Sequence, residues 1–322
     1  FINSLMFIYC VIFSSVYTFI KIYKALSNPV LFSVVVLIWG STWLAITYQF
    51  GEVDPTLSVA YRFLIAATIL FTYCKIKKLS LHLPTHIHVK MAAVGLCLYT
   101  LDYTLLYQSQ QYIISAIVAL MSSGMVYINV LLRRVLLKKP IRSEVMIGAT
   151  LGMFGIGLIF LPEFAKVSAN QYLVLGISLA FASFFFASLG NVVSERILDH
   201  GTPVIQMNFW AMSYGVIFIF TAAMFNGAEF SLPTNPNYYY SMFYLSVFGS
   251  VLAFGGYMQL VKQMGSDKAA YVVLVYPIIA LILSTIFEGY QWHLEAFIGV
   301  AIVLLGNAVA MGKLPLPFGK KA

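Results

Sequence analysis

Residues 91–132 read MAAVGLCLYTLDYTLLYQSQQYIISAIVALMSSGMVYINVLL and contain one formal charge, that of Asp102. A helix crosses the hydrocarbon layer of a bilayer in roughly 20 apolar residues, so this stretch is too long for a single span. The polar sequence Gln108-Ser109-Gln110-Gln111 lies near its middle and supplies a turn. The stretch therefore predicts two consecutive membrane-spanning helices.

The rest of the chain is likewise rich in apolar residues and poor in charged ones. Of its 322 residues, 61% are hydrophobic and 9% are charged, and the mean hydropathy is +0.89. A soluble domain is about half apolar and about a quarter charged, so a water-soluble enzyme, a disordered chain and a coiled coil are all excluded. The nearly charge-free stretches predict an all-α polytopic membrane protein with ten transmembrane helices, at about 30–49, 56–74, 91–108, 115–137, 145–162, 171–194, 203–225, 238–260, 269–287 and 295–312.

The basic residues predict how these helices are oriented. In a ten-span arrangement, all of the 19 Lys and Arg residues except Arg62 and Lys166 fall on one side. Cytoplasmic loops carry the excess of Lys and Arg, so this side and the C-terminus are predicted to be cytoplasmic, in a cell inner membrane. The basic residues are spread over loops and tails without forming one groove. This argues against nucleic acid as a partner and leaves membrane lipid and small molecules.

Residues 1–25 form a separate apolar segment. No Lys or Arg precedes its apolar run and no small-x-small cleavage site follows it, which disfavours a signal peptide. Lys21 and Lys24 come after the apolar run and favour one extra helix that begins outside. A segment lying along the interface, and upstream sequence that the fold does not need, are the alternatives.

An internal repeat relates the two halves of the chain. A shift of 151 positions brings Gly148 and Gly155 onto Gly299 and Gly306. A shift of 154 aligns four apolar residues with identical ones, namely Ala116, Val118, Leu120 and Ile128 with Ala270, Val272, Leu274 and Ile282. The loop charges reverse between equivalent positions: residues 133–142 carry five Lys and Arg residues, whereas the counterpart carries only Glu288 and Glu295.

Because each half holds five spans, an odd number, the second half must insert upside down. We therefore expect two inverted five-helix repeats, at 26–165 and 166–313, followed by a cytoplasmic tail at 314–322. Inverted repeats are frequent in transporters, and their binding site lies near the middle of the membrane between the repeats.

Two charges, those of Arg62 and Asp102, lie inside the predicted spans and away from the span ends that carry other charges. At 1.5 Å per residue, both lie about 10 Å below the outer boundary, and an unpaired ion in hydrocarbon is costly, so the two are expected to pair. In the functional interpretation, Arg62 binds a substrate carboxylate while Asp102 pairs with it or takes up a proton. The alternative is that the two charges only stabilise the structure, or that the arginine side chain extends towards the membrane interface.

Aromatic and small polar residues surround these charges in the predicted helices. They provide an apolar wall with phenol and indole groups, which suits an amphipathic solute such as an aromatic or branched amino acid. Aromatic residues also pack cores or anchor helices at interfaces, so each is open to that second interpretation. The candidate substrate-binding residues are Trp39, Ser41, Trp43, Arg62, Tyr99, Asp102, Tyr103, Ser123, Asn191, Tyr214, Tyr257, Tyr271 and Tyr276.

Motifs for catalysis or cofactor binding do not occur in the sequence. There is no nucleophile triad, phosphate-binding glycine loop or HExxH, and the three cysteines have no CxxC spacing. We therefore expect no catalytic residues, no metal and no cofactor. Nor is a nucleotide-binding subunit implied, so any active transport must use a gradient.

Several motifs resemble those of one transporter family. Residues 39–46, WGSTWLAI, resemble the opening of EamA-type members of the drug/metabolite transporter superfamily, and residues 102–116 resemble that family's connection between the third and fourth helices. Pro277, Glu288 and Gly299 resemble the end of its second repeat. The resemblance covers about 28–312 and implies ten helices in a two-fold pseudosymmetric basket that exports metabolites, amino acids or drugs.

These observations together predict a secondary transporter that exports a small amphipathic metabolite by alternating access. A sugar-phosphate or nucleotide-sugar carrier of the same superfamily is an alternative, which predicts several cavity Lys or Arg residues. A membrane enzyme, or a sensor that transports nothing, is the alternative from a different class.

Overall fold

The computed structural model describes residues 26–49, 51, 53–109, 112, 118, 121–161, 172–228, 230, 233–287 and 292–314. Regular structure within these residues is helical. The main helices are α1 (Asn28–Thr47), α2 (Pro55–Ile76), α3 (Thr85–Ser109), α4 (Met125–Leu137), α5 (Ser143–Ile159), α6 (Leu173–Asp199), α7 (Val204–Phe225), α8 (Pro236–Met264), α9 (Val272–Phe287) and α10 (Leu294–Ala310). A single helical turn, Ser266–Ala269, precedes α9.

In the part of the chain that the structure describes, seven stretches are long and apolar enough to cross a membrane: α1, α2, α3, α6, α7, α8 and Ser266–Phe287, which contains α9. Helices α5 and α10 are apolar and have 17 residues each. The prediction of an all-helical, multi-pass membrane protein is confirmed. The extra N-terminal helix predicted in 1–25 lies outside the described residues.

Local sequence explains where α2 begins. The Asp54 carboxylate accepts hydrogen bonds from the backbone N–H groups of Thr56, at 2.8 Å, and Leu57, at 3.4 Å. Pro55 follows at the first helical position, where its missing N–H costs nothing. The predicted break at Asp54-Pro55 is thus a capped helix start, and it fixes the register of the helix that carries Arg62.

Some helices extend beyond the predicted bounds. Helix α3 begins at Thr85 instead of 91, and α6 continues to Asp199 instead of stopping at 194. Hydropathy ends a span at its first charges, here Lys90 and Glu195. A charged residue can still continue a helix where the end leaves the hydrocarbon or the charge has a partner.

Helices α3 and α8 each contain a π-helical segment, Gly95–Leu101 in α3 and Leu245–Leu252 in α8. In each segment a hydroxyl donates to the carbonyl five residues earlier: Thr100 Oγ1 to Gly95 O at 3.1 Å, and Ser250 Oγ to Leu245 O at 3.0 Å. An α-helix turns about 100° per residue, so extra residues in a turn redirect every side chain that follows. The part of each helix beyond its π segment therefore presents a different face.

Helices α5 and α10 pack closely together through glycines. A Cβ on Gly155 would lie 2.6 Å from the carbonyl oxygen of Gly299, and Gly148 has the same relation to Gly306. Only glycine allows the two backbones to approach this closely. The lower-numbered glycine of α5 meets the higher-numbered glycine of α10, so these two helices run antiparallel.

The other helices pack in definite pairs. Helix α1 packs on α8 and α9, and α6 packs on α3 and α4. Helix α2 packs on α7 and on the π segment of α8, while α7 packs on the π segment of α3. This arrangement brings helices from both halves of the chain around a common centre.

Candidate functional site

A cavity of about 210 Å³ lies at this centre, between α1, α2, α3, α4, α6, α8 and α9. Its surface is mainly apolar and aromatic, with a small number of polar groups, which is usual for a small-molecule site. The residues that line it and were also predicted from the sequence are Trp39, Arg62, Asp102, Tyr103, Asn191, Tyr257 and Tyr276.

Arg62 lies two turns from the start of α2 and is almost fully buried. Its Nε donates a hydrogen bond of 2.8 Å to Ser250 Oγ in the π segment of α8. The centre of the guanidinium lies 5.5 Å from the centroid of the Tyr103 ring, a cation–π distance. The terminal Nη nitrogens carry most of the N–H donors of the guanidinium.

Asp102 is the first residue of α3 after its π segment. Its Oδ1 accepts a hydrogen bond of 2.6 Å from Ser183 Oγ of α6. Within the described residues no ion pair joins Arg62 to Asp102, so the predicted pairing of these two charges was wrong. The physical reason is that each charge has its own serine partner, on a different helix.

Aromatic rings form one wall of the cavity. The Trp39 ring lies 5.0 Å from that of Tyr257 and 5.1 Å from that of Phe254, between centroids. Trp39 Nε1 also donates to the carbonyl of Gly249 at 3.1 Å, which fixes the indole against the π segment of α8. A rigid aromatic wall is suited to the apolar part of a ligand.

Three predicted residues lie behind this wall or away from it. Tyr99 is fully buried and packs edge-on against Phe63 at 4.9 Å and Phe254 at 5.1 Å, so it supports the wall without lining the cavity. Ser41 Oγ lies 2.6 Å from the hydroxyl of Tyr244. Ser123 is fully buried and does not line the cavity.

Two further tyrosines form hydrogen bonds elsewhere in the bundle. The Tyr214 hydroxyl lies 2.9 Å from Nδ1 of His88, near the start of α3. The Tyr271 hydroxyl donates to the carbonyl of Val145 in α5. Neither residue lines the cavity. The side chain of Trp43 lies outside the part of the chain that the structure describes.

Sequence reasoning missed a buried ion network formed by Arg133, Glu195 and Asp267. Arg133 Nε lies 2.8 Å from Glu195 Oε1, and Arg133 Nη1 lies 3.0 Å from Asp267 Oδ2. The spacing from Asn191 to Glu195, one helical turn, was the available signal, since both then lie on one face of α6. Within the described residues, no three His, Cys, Asp or Glu side chains come together as ligands for a metal ion.

Comparison with known proteins gives one matching family. The model of the EamA-like transporter family matches residues 26–161 and 174–312. Among curated relatives, YedA of Escherichia coli K12, described as an uncharacterized inner membrane transporter, is 25% identical over 289 residues, covering 87% of this chain and 90% of that protein. YyaM of Bacillus subtilis 168, an uncharacterized transporter, is 22% identical over 283 residues, covering 86% and 91%.

A third relative has a more specific description. A probable amino-acid metabolite efflux pump of Escherichia coli K12 is 21% identical over 287 residues, covering 87% of this chain and 93% of that protein. A solved crystal structure superposes with a TM-score of 0.74 at 18% identity, over 89% of this chain and 97% of the other. At this identity the superposition establishes the fold alone.

Proposed function

This chain belongs to the EamA-like transporter family, and we propose that it is a secondary carrier that exports a small amphipathic metabolite, an amino acid or drug-like compound, by alternating access. We place it in the cell inner membrane with the basic end of the bundle in the cytoplasm. The basic end is the end that carries the loops 77–84, 138–142 and 200–203, residue 265 and the end of α10. The excess of Lys and Arg on the loops 77–84 and 138–142, and on the helix ends beside 200–203 and 265, supports this orientation.

The proposed architecture is two inverted five-helix halves, at 26–165 and 166–313, related by a pseudo-two-fold axis. The glycine contacts support it. If Gly148 corresponds to Gly299, and Gly155 to Gly306, a two-fold axis converts a contact of Gly148 with Gly306 into a contact of Gly299 with Gly155, so the two contacts must occur together. The contacts of Gly148 with Gly306 and of Gly155 with Gly299 have this reciprocal form.

The helix pairs support the same axis. If α1–α5 correspond in order to α6–α10, the packed pair α1–α9 corresponds to the packed pair α6–α4. The pair α1–α8 corresponds in the same way to α6–α3. The contact between α2 and the π segment of α8 likewise corresponds to the contact between α7 and the π segment of α3. In inverted-repeat transporters the substrate site lies between the halves, where this cavity is found.

The observation that carries the substrate proposal is the separation of Arg62 and Asp102 in one cavity. Each has a serine hydrogen-bond partner, and neither neutralises the other by direct contact. A charge of each sign beside an aromatic wall complements the carboxylate, ammonium and side chain of an amino acid. Asp102 binds the substrate ammonium or, in the alternative, takes up a coupling proton.

The cavity volume favours a small solute. At about 210 Å³ it is below the roughly 300–1,000 Å³ of pockets for drug-sized ligands, which favours the amino acid over the drug-like compound. Phosphorylated sugars and nucleotide-sugars carry two or more negative charges. Arg62 is the one Lys or Arg lining the cavity among the described residues, which disfavours that alternative.

Counterflow in proteoliposomes tests the proposal. Purified protein is reconstituted into vesicles loaded with an unlabelled amino acid, and uptake of the labelled amino acid is measured for aromatic, branched and acidic members. We expect uptake for aromatic or branched amino acids, above that of vesicles without protein. The proposal fails if neither an amino acid nor a drug-like cation shows counterflow while the protein remains folded in the vesicles.

A further inference from the structure

A second cavity, with a volume of about 530 Å³, lies towards the basic end of the bundle. Its lining is mainly polar and includes Arg133 and Glu195, and Val261 also lines it. On α6, Asn191 lines the central cavity and Glu195 lines this second one; on α8, Tyr257 and Val261 are divided in the same way. Four residues correspond to about 6 Å along a helix. The two cavities are therefore stacked along the bundle, one helical turn apart.

The layer between the cavities contains polar atoms that lack partners. Asn129 Oδ1, Asn191 Oδ1 and the Tyr257 hydroxyl are buried and have no hydrogen-bond partner among the described residues, and all three residues are at most 2% exposed. Asn129 Nδ2 does have partners, since it donates to Met125 O at 2.8 Å and to Ser188 Oγ at 3.4 Å. Buried polar atoms without partners are rare because they are costly, so three in one layer require an explanation. A route that admits water or a polar solute provides one.

The ion network closes this layer from the basic end. Arg133 of α4 contacts Glu195 of α6 and Asp267 of the turn before α9. Glu195 Oε2 also accepts hydrogen bonds from Ser266, at 2.9 Å from its backbone N–H and 2.7 Å from its hydroxyl. The network thus joins helices of the first and second halves to the segment between α8 and α9.

Gly265 allows the segment between α8 and α9 to lie close to Arg133. Its φ of +90° lies in the left-handed region that favours glycine, and a Cβ there would lie 2.6 Å from Nη2 of Arg133. Breaking the contacts of Arg133 with Glu195 or Asp267 removes the ion pairs that join α4 to α6 and to the link between α8 and α9.

We infer that Arg133, Glu195 and Asp267 form the gate at the basic end of the transport pathway, and that Asn129 and Asn191 line the route from the central cavity to it. This inference rests on the proposed carrier function. When the network is intact the route is closed at the basic end; when it opens, the buried oxygens of the layer meet water or substrate.

Thiol accessibility tests the gate. In a background with Cys10, Cys74 and Cys97 changed to serine, Ser188→Cys introduces a nearly isosteric thiol beside Asn129. Its rate of reaction with a membrane-impermeant maleimide is measured in inside-out vesicles, where Arg134→Cys, an exposed site at the basic end, reports orientation. We expect slow labelling with the network intact and labelling about tenfold faster with Glu195→Gln, since Arg133 then loses one of its two buried ionic partners, which shifts the equilibrium towards the open state.

The matched control removes an ion pair at the same end that is outside the network. Lys139 lies 3.4 Å from Asp199, and both residues line the second cavity. Both side chains are at least 40% exposed, so this ion pair holds no buried contact closed, and Lys139→Gln is expected to leave the labelling rate unchanged. Ser266→Ala keeps every charge and is expected to give an intermediate rate. It replaces Glu195→Gln as the deciding variant should that protein not fold.

The gate is refuted if a folded Glu195→Gln or Ser266→Ala protein labels no faster than the parent, or if Lys139→Gln labels as fast as Glu195→Gln. The labelling rate needs no substrate. An absence of counterflow for every solute would therefore refute the carrier while leaving this measurement intact, and unchanged labelling would refute the gate even if counterflow is observed.

Discussion

Arg62 of α2 and Ser250 of α8 are joined by a hydrogen bond of 2.8 Å, and Ser250 in turn donates to the carbonyl of Leu245 in the π segment. The guanidinium is thereby held by a helix of the other half of the chain. A substrate carboxylate bound at Arg62 would be coupled directly to the π segment, and this relationship gives the first prediction.

Ser250→Ala removes the acceptor of Arg62 Nε and leaves the arginine less well oriented. Hydrogen bonds to charged groups contribute about 1.5–3 kcal/mol, so we expect the apparent affinity for the substrate in counterflow to fall by about tenfold or more. Ser246→Ala is the control, because Ser246 lies in the same π segment and donates to Met242 Sδ at 3.7 Å instead. Equal effects of both variants would contradict a specific role of the serine–arginine bond.

Replacing Arg62 itself is expected to change which solutes are carried. Arg62→Ala removes the positive charge of the cavity and should abolish counterflow of an amino acid, whereas the corresponding decarboxylated amine should be affected much less. Arg62→Lys keeps the charge without the planar donor pair and should give an intermediate result. The measurement is the ratio of amino-acid to amine uptake. A ratio that is the same in Arg62→Ala and in the parent would show that the arginine is structural.

Asp102→Asn distinguishes the two roles proposed for this carboxylate. If Asp102 binds the substrate ammonium, the variant loses counterflow. If it carries a coupling proton, the variant keeps counterflow but no longer accumulates substrate when a pH gradient is imposed. Ser183→Ala is the companion variant, since it removes the hydroxyl that donates to Asp102 at 2.6 Å without removing the charge. A variant with full counterflow and full gradient-driven accumulation would exclude both roles.

The glycine contacts between α5 and α10 are expected to be sensitive to a single methyl group. Gly155→Ala would bring a Cβ to 2.6 Å from the carbonyl oxygen of Gly299, so we expect a loss of about 1–3 kcal/mol of stability, measured as a lower thermal unfolding temperature in detergent. Gly152→Ala on the same helix is the control. Its Cβ would meet the end of the Leu274 side chain, which can move, so the loss should be smaller.

The sequence predicted the membrane class of the fold because composition and span length suffice for it. It also identified Arg62 and Asp102, both of which line the cavity, because a charge within a long apolar stretch is conspicuous. Their partners Ser250 and Ser183 could not be predicted, since a serine in a helix has no pattern that indicates which residue it faces.

The structure also explains two other differences from the sequence analysis. Hydropathy assigns Arg133 and Glu195 to the ends of helices, where charges meet water, but each is buried because the other neutralises it. Tyr99 and Tyr271 were candidates for the site because they are aromatic residues with a polar group. The helix faces that they occupy depend on neighbouring helices and, for α3, on the π segment, which no sequence periodicity indicates.

The backbone contact between α5 and α10 has a consequence for motion. Where glycine lies against glycine there are no long side chains that can slide or exchange rotamers, so these two helices have little freedom to change their mutual orientation. Any rearrangement that exposes the central cavity first to one side of the membrane and then to the other must take place around them. The α5–α10 pair is then the fixed part of the protein around which the other helices move. Spectroscopic labels on these two helices would keep a constant separation throughout the transport cycle.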